Sequence, residues 1–389
     1  MQNSKKAVKV CVLVILLVAS SLPVYNSLSL ESLNQKRFEP DFQKGMSYRH
    51  FPYPYDSSYS NESLRRMAET NTEYVAITVW WLQENVSSTQ IYAKPGWTAT
   101  NKSLVIAIRK AHELGMKVML KPMVDPEDVY THWRGEILGS PEWFESYKAF
   151  VGSYARFAQE NGVDLFCVGC EFKATEVNKT DWEQVIDEVK KYYSGPLTYA
   201  ATFDSCQTIE WWDSLDYVGI DAYFPLTNKK DPTLEELKQA WNRVANGIES
   251  WALTMKKPIV FTEIGYRSGD GNNMEPWNWK VTLELDLQEQ FDCYLAAFQI
   301  LWGRPWFYGF YWWIWESNPN AGGLNDVDFT PQNKPVEHLI ESYYSSEMHE
   351  KEKGAFPWST ICVTISAAAI IVFTSLLIVK FRKNRSLHN

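Results

Sequence analysis

Eight short apolar segments, separated by amphipathic stretches, constrain the fold of this chain more than any other feature. The segments lie at residues 45–48, 74–80, 117–123, 164–171, 197–203, 217–223, 258–264 and 308–315. Between them, apolar residues recur at helical spacing at 61–71, 103–114, 143–161, 181–193 and 234–255. Apolar runs without strict alternation are typical of parallel strands that are covered by helices. Eight such units over about 300 residues predict a (β/α)8 barrel of the α/β class.

The composition and the missing motifs exclude several other classes of protein. With 45% hydrophobic and 22% charged residues, the chain is not of the disordered, collagen-like or coiled-coil type. Its net charge of -9 argues against nucleic-acid binding. A doubly wound open sheet is the alternative to the barrel, but no glycine-rich phosphate loop follows the first predicted strand. The six histidines form no pair at i,i+4 spacing, so we predict neither a metal nor another cofactor.

The N-terminus has the pattern of a targeting sequence. Three lysines precede ten uncharged apolar residues at 10–19, which are too few to cross a bilayer, since a helical span needs about 20. We assign residues 1–25 to a signal peptide, with an uncleaved signal anchor as the alternative. Glycosylation sequons, which a secretory route would make usable, begin at Asn61, Asn85, Asn101 and Asn178.

The C-terminus has the pattern of a membrane anchor. Residues 359–379 are 21 uncharged residues, and the sequence KFRKNR follows them directly. Their length and the positive charge behind them predict a transmembrane helix with a basic cytoplasmic tail at 380–389. A charged stalk at 344–358 would join this helix to a domain at 38–343, which would then lie outside the cell or in a lumen.

Four cysteines and three tryptophans in the body of the chain are expected to be structural. Cys167 and Cys170 fall within a predicted strand, and no second ligand pair follows them, so a redox or zinc site is not favoured. One disulfide among the four body cysteines would be unsurprising in an oxidising compartment. Trp143, Trp182 and Trp241 recur at helical spacing and are expected in the core.

Acidic and aromatic residues stand where the predicted strands end, which is where a barrel of this kind carries its function. Strands four and seven end in Glu171 and Glu263, and strand six ends in Asp221 and Tyr223. Two carboxylates that face each other across an aromatic-lined mouth are the apparatus of glycoside hydrolysis. The 18 tryptophans supply flat faces on which sugar rings stack. Chance placement of a common residue is the alternative for each glutamate, and Asp221 is as consistent with a loop hydrogen bond as with substrate contact.

Several strand-end motifs together resemble glycoside hydrolase family 113. They are GCEF at 169–172, DAYFPL at 221–226, FTEIGYRS at 261–268, the tryptophan-rich strand eight, and LKPMVD at 120–125 with WRG at 133–135. The likeness extends over roughly residues 38–343. It implies a barrel of the retaining clan A, whose characterised members in this family are mainly endo-β-1,4-mannanases.

The resemblance also implies roles for individual residues. Glu171 would be the acid/base, Glu263 the nucleophile, and Tyr223 the hydrogen-bond donor that holds the nucleophile. Trp313 or Trp315 would form the floor of the subsite for the sugar that becomes covalently attached, and strand parity allows both because residues two apart share a face.

Two positions depart from the pattern of the clan, and two further residues are candidate substrate ligands. Cys170 stands where many clan members have an asparagine that binds the sugar 2-hydroxyl, and Met123 stands where family members often have histidine. Arg49 and Lys121 lie near strand ends and are candidates for binding sugar hydroxyls, with salt bridges as the equal alternative.

The sequence therefore predicts a membrane-anchored retaining glycosidase that acts on a β-linked polysaccharide or oligosaccharide, with β-1,4-mannan as the first choice. Another β-glycan, such as a glucan or an aminosugar polymer, is the alternative substrate. A carbohydrate receptor on the same barrel is the alternative from a different class, and no particular oligomeric state is indicated.

Overall fold

A closed barrel of eight parallel strands forms the centre of the molecule. The structure is a computed structural model that describes residues 41–345, and each strand pairs with its neighbours in sequence order until β8 returns to β1. The strands are β1 (Gln43–Arg49), β2 (Tyr74–Gln83), β3 (Lys117–Pro126), β4 (Leu165–Cys170), β5 (Leu197–Thr202), β6 (Val218–Asp221), β7 (Ile259–Ile264) and β8 (Phe307–Glu316). The predicted parallel barrel is confirmed, and each predicted segment contains or overlaps one strand.

Seven α-helices in the described part of the chain cover this barrel. They are α1 (Ser58–Glu69), α2 (Asn101–Glu113), α3 (Pro141–Glu160), α4 (Lys179–Lys190), α5 (Leu234–Met255), α6 (Leu287–Leu301) and α7 (Pro335–Tyr344). Most of these helices have a side-chain N-cap. Ser57, Thr100 and Ser140, for example, each accept a hydrogen bond from the backbone N–H three residues later. Gly115 and Gly162, which follow α2 and α3, adopt φ values of 83° and 67° that favour glycine.

The connection between β5 and β6 is the exception to the repeating pattern. Two short 3-10 turns, Cys206–Thr208 and Trp212–Ser214, replace an α-helix there. The indole of Trp211 stacks on Trp182 of α4 with the ring centroids 5.0 Å apart, and both rings are buried. Large aromatic side chains therefore cover the part of the barrel wall that a helix covers elsewhere.

The two largest parts of the hydrophobic core lie inside the barrel and between the barrel and the helices. Trp143, Trp182 and Trp241 are fully buried in the outer part, as predicted. The inner part includes Tyr74, Met119, Leu165, Cys167, Tyr217, Val260 and Tyr311. Most of these inner residues come from the beginnings of their strands, so the barrel is filled at that end and opens at the carboxyl ends of the strands.

The four body cysteines are buried free thiols, so the described residues contain no disulfide between them. Among the sequons, Asn85 and Asn101 are exposed, whereas Asn61 and Asn178 are partly buried. The predicted signal sequence at 1–25, the transmembrane helix at 359–379, the tail at 380–389 and all but the first two residues of the stalk lie outside the described residues. Within 41–345, no helix has the length and apolar character needed to cross a membrane.

Candidate active site

A pocket of about 940 Å³ opens at the carboxyl ends of the strands and contains most of the predicted site residues. Its size is near the upper end of the range for sites that hold small ligands. Arg49, Glu171, Tyr223, Glu263 and Trp313 all line it. The structure thus brings five of the predicted residues together from β1, β4, β6, β7 and β8, or from the positions that directly follow them.

Both oxygens of the Glu263 carboxylate are held by neighbouring side chains. Tyr223, two residues after β6, donates its hydroxyl to Oε2 at 2.8 Å. The Lys121 ammonium donates to Oε1 at 2.5 Å. Asp221 pairs with Glu263 in the β6–β7 ladder, and the N–H of Ala222 donates to the backbone carbonyl of Glu263 at 2.7 Å. The carboxylate is therefore fixed in orientation while it remains at the pocket surface.

Glu171 directly follows β4 and holds its side chain in the same pocket. Its φ is 57°, in the left-handed region that costs a side-chain-bearing residue on the order of 1–3 kcal/mol. A backbone hydrogen bond from its N–H to the Ala200 carbonyl, 2.8 Å long, ties this turn to β5. The strained turn directs the carboxyl group toward the barrel axis instead of continuing the strand.

The surroundings of Glu171 favour its protonated form. Burial, reinforced by the negative charges of Asp221 and Glu263, raises the pKa of Glu171 to about 8, although Arg134 and Lys121 oppose the shift. A carboxyl group with this pKa keeps its proton at neutral pH, which is the property that a general acid requires. The two carboxyl groups of the pocket thus have different surroundings: Glu263 is held by Tyr223 and Lys121, whereas Glu171 lies where a general acid is favoured.

Lys121 does not line the pocket, in contrast to its predicted role as a ligand for sugar hydroxyls. Its side chain is fully buried beneath the pocket floor, and its ammonium lies 3.3 Å from each oxygen of Asp221. The alternative, a salt bridge, is what the structure shows. Lys121 points into the barrel interior from the middle of β3. Its ammonium forms ion pairs there with Asp221 of β6 and Glu263 of β7, so it is not placed to contact a sugar.

Asp221 lies at the centre of the barrel rather than capping a loop. It has no exposed surface, and it accepts a hydrogen bond from the Thr262 hydroxyl at 2.7 Å. Burial, followed by the charge of Glu263, raises the pKa of Asp221 to about 6, and Lys121 and the hydrogen bond from Thr262 oppose this shift. It acts on the pocket through its charge and through Lys121.

Arg134 is a site residue to which the sequence analysis assigned no role. It lies in a short 3-10 turn after β3 and donates to both carboxylate oxygens of Asp125, at 2.7 and 3.0 Å. A third donor reaches the Cys170 sulfur at 3.2 Å. Arg134 lines the pocket close to Glu171. Arg134 lies in the WRG motif and Asp125 in the LKPMVD motif. These motifs were the only indication in the sequence that the two residues belong to the site.

Cys170 is buried below the pocket instead of facing it. Its thiol lies between Arg134 and Asp221, 3.5 Å from a carboxylate oxygen of the latter. The sulfur and the carboxylates of Glu171 and Asp221 lie within 4.8 Å of one another. Lys121 and Arg134 already supply the positive charge for this cluster, and we assign no metal to it.

The two candidate tryptophans of β8 point in opposite directions. Trp313 faces the pocket, with its ring 6.5 Å from that of Trp80 in an edge-to-face arrangement. Trp315 is fully buried on the outer side, where its indole N–H donates to the Ser63 hydroxyl of α1 at 2.9 Å. The expectation that both share a face was wrong. Met46 pairs with Trp312 but Tyr48 pairs with Trp315, so β8 carries an extra residue that reverses the alternation.

Aromatic side chains and one loop contact shape the rest of the pocket. Besides Trp313, the tryptophans that line it are Trp80, Trp97, Trp133, Trp277 and Trp279. Arg49 lines it as well and forms an ion pair with Glu316.

One contact joins two loops at the mouth of the barrel. The Lys280 ammonium, in the loop after β7, donates to the Tyr130 carbonyl, in the loop after β3, at 2.7 Å. Because β3 and β7 lie on opposite sides of the barrel, this contact extends over its mouth.

An α/β barrel with acidic groups at the ends of β4 and β7 and an aromatic-lined pocket is typical of glycoside hydrolases. The sequence profile of Glycoside Hydrolase Family 113 matches residues 47–334, which include every strand end described above. The chain belongs to Glycoside Hydrolase Family 113 and is a glycoside hydrolase.

Solved structures of the same family are similar over nearly their whole length. One β-1,4-mannanase, solved as a complex, is 28% identical with a TM-score of 0.72, and the match covers 79% of this chain and 99% of that one. A β-mannanase from Alicyclobacillus acidocaldarius, solved with the ligand ManMIm, is 27% identical with the same TM-score and the same coverage of both chains. A β-glucuronidase from Ruminococcus gnavus is 14% identical with a TM-score of 0.54; the match covers 79% of this chain and 50% of that one, and it shows the fold alone. Comparison with curated protein sequences finds no significant match.

Proposed function

We propose that this protein is a retaining β-glycosidase that cleaves β-1,4-mannan by double displacement, with Glu263 as nucleophile and Glu171 as acid/base. The observation that carries the proposal is the difference between the two carboxyl groups in one pocket. Glu263 accepts hydrogen bonds from a tyrosine and a lysine, which hold its carboxylate in place, whereas the pKa of Glu171 is raised by burial and neighbouring anions.

The first step transfers the sugar to the enzyme. An oxygen of Glu263 attacks the anomeric carbon, the glycosidic C–O bond breaks, and Glu171 gives its proton to the departing oxygen. Each Glu263 oxygen accepts one hydrogen bond from the side chains around it, so a lone pair remains for the attack.

The second step releases the sugar with its original configuration. Glu171, now a carboxylate, removes a proton from water as that water attacks the anomeric carbon. The bond to Glu263 breaks, and both glutamates return to their starting protonation states. The two inversions at one carbon give net retention.

The choice of mannan rests on the solved relatives, two described as β-1,4-mannanases and one as a β-mannanase, which are 27–29% identical to this chain. Another β-glycan is the second candidate, and one observation favours it. Met123, an apolar residue, lines the pocket where family members often have histidine, and the Cys170 thiol is turned away from it. Contacts to the sugar hydroxyls therefore differ from the common pattern.

The test is hydrolysis of β-linked mannan, glucan and chitosan oligosaccharides by the full-length protein, with products read by mass and anomeric configuration followed by NMR. We expect cleavage of the mannan series with retained configuration. Retained cleavage of another series alone would transfer the specificity to that polymer. Inverted products would overturn the double-displacement mechanism, and binding without cleavage by folded protein would favour the receptor alternative.

The pH dependence of kcat/KM should be bell-shaped, with an alkaline limb centred near the raised pKa of Glu171. Glu171 is an acid only while it is protonated, so activity is retained below a pKa of about 8 and is lost as the pH rises through it. Protonation of the nucleophile Glu263 produces the acidic limb. Initial rates over the acid and alkaline range, in folded protein, measure both limbs. An alkaline limb in the ordinary range of carboxyl groups would contradict this assignment of the acid.

A further inference from the structure

The Lys121 ammonium lies at a position where one cation can act on two carboxylates of the active site. It is fully buried, and it donates to Glu263 on β7 and to Asp221 on β6. The thiols of Cys167 and Cys170, on β4, are the other titratable groups that act on it. Despite the cost of burial, these neighbours raise the pKa of Lys121 well above its usual range, so the side chain stays charged.

The contacts of Asp221 hold this ammonium in place. Asp221 lies 3.3 Å from it through both oxygens and is itself oriented by the Thr262 hydroxyl. A buried cation needs such a partner, because an unpaired charge in the interior is strongly destabilising. The pair with Asp221 does not require Glu263, so the closer contact to Glu263, at 2.5 Å, is available to the chemistry.

We propose that Lys121 is a positioning residue of the catalytic site, which orients the Glu263 carboxylate for attack through a direct ion pair while Asp221 anchors the lysine. The inference rests on the proposed function of Glu263 as nucleophile. It replaces the predicted role of Lys121 as a ligand for sugar hydroxyls.

The charges of the site remain balanced through the reaction under this arrangement. When Glu263 forms its bond to the sugar it loses its negative charge, and Lys121 remains paired with Asp221. Glu171 gains a negative charge in the same step, and the Arg134 guanidinium lies close enough to stabilise it. The negative charge therefore moves from one carboxylate to another, and each of them has a cation beside it.

The test compares Lys121→Met with Lys44→Met. Lys44, at the start of β1, is also buried and ion-paired, but its partner is Glu73, which precedes β2 and lies away from the pocket. We expect Lys121→Met to lower kcat by about 10²- to 10³-fold, as removal of a preorganised charge contact does in other active sites. KM should change little, and the acidic limb of the pH profile should move to higher pH. Lys44→Met should alter thermal stability at most and leave both limbs unchanged.

Two further variants keep the test decisive if Lys121→Met does not fold. The double variant with Lys121→Met and Asp221→Asn removes the buried pair together, which proteins often tolerate. Its acidic limb should lie at higher pH than that of Asp221→Asn alone, because these two variants differ only in the charge of the lysine. Asp221→Asn alone leaves the lysine to act on Glu263 only, so its acidic limb should move to lower pH.

The inference would be overturned by an acidic limb that is the same in Lys121→Met as in the wild type, or the same in the double variant as in Asp221→Asn, even if kcat falls. Failure of the proposed function looks different, because the wild-type protein itself would then hydrolyse no member of the oligosaccharide panel. Opposite movements of the limb in Lys121→Met and Asp221→Asn would establish the role of Lys121.

Discussion

Glu263→Gln is expected to lower kcat by about 10⁴-fold or more while leaving oligosaccharide binding nearly unchanged. Glutamine has the shape of glutamate but lacks the negative charge that attacks the anomeric carbon, so the glycosyl-enzyme cannot form. The protein should still fold, because Lys121 keeps Asp221 as its partner when the charge of Glu263 is gone. Initial rates, calorimetric affinity for an oligosaccharide substrate and the thermal midpoint would measure the three quantities separately.

A matched control is available in the same chain. Glu289 in α6 is also buried, but it accepts hydrogen bonds from the backbone of Gly271 and Asn273 and does not line the pocket. Glu289→Gln should lower stability without removing the chemistry. Turnover at the wild-type rate in Glu263→Gln would contradict the assignment of Glu263 as the nucleophile.

Replacement of Glu171 is expected to have an effect that depends on the leaving group. Glu171→Gln should lower kcat/KM on natural oligosaccharides by about 10²- to 10⁴-fold, because the departing sugar oxygen needs a proton. An aryl glycoside with an acidic phenol needs no such help in the first step, so its glycosylation rate should fall far less. The alkaline limb near the raised pKa of Glu171 should also disappear from the pH profile.

The backbone at this position decides which truncation is best for a rescue experiment. Because φ at residue 171 is 57°, glycine is unstrained there, whereas alanine keeps the cost of a side chain in the left-handed region. With Glu171→Gly, added azide should attack the glycosyl-enzyme in place of water and yield a β-glycosyl azide. Equal losses on natural and activated substrates, with no azide product, would refute the acid/base role.

The barrel was predictable because its signals are local. The patterns that predict it are apolar runs, helical spacing and glycines after helices. Each of them involves only residues that are close together in the sequence, and the eight strands follow from them. Glu171 and Glu263 stood out for the same reason, since a strand end marks a residue for the barrel mouth. The resemblance to family 113 added Tyr223, whose hydroxyl does contact Glu263.

The errors arose where contacts between strands override local alternation. Trp315 shares sequence parity with Trp313, but an extra residue in β8 turns it toward α1. The alternation of residues along β8 does not reveal this register shift, because the shift exists only in the pairing of β8 with β1. The link between β5 and β6 shows the same limit, since Trp211 covers the barrel wall only through its stacking on Trp182.

The sequence by itself determined the fold class, the family and the strand ends that carry the acidic groups, because periodicity and motifs are properties of neighbouring residues. Only the tertiary structure decided how those groups are charged and held. Lys121, Asp221 and Glu263 lie on three different strands, and their ion pairs exist only once the barrel has closed. The same closure buries Glu171 beside two anions and raises its pKa, so the chemistry of the site depends on distances that no local pattern specifies.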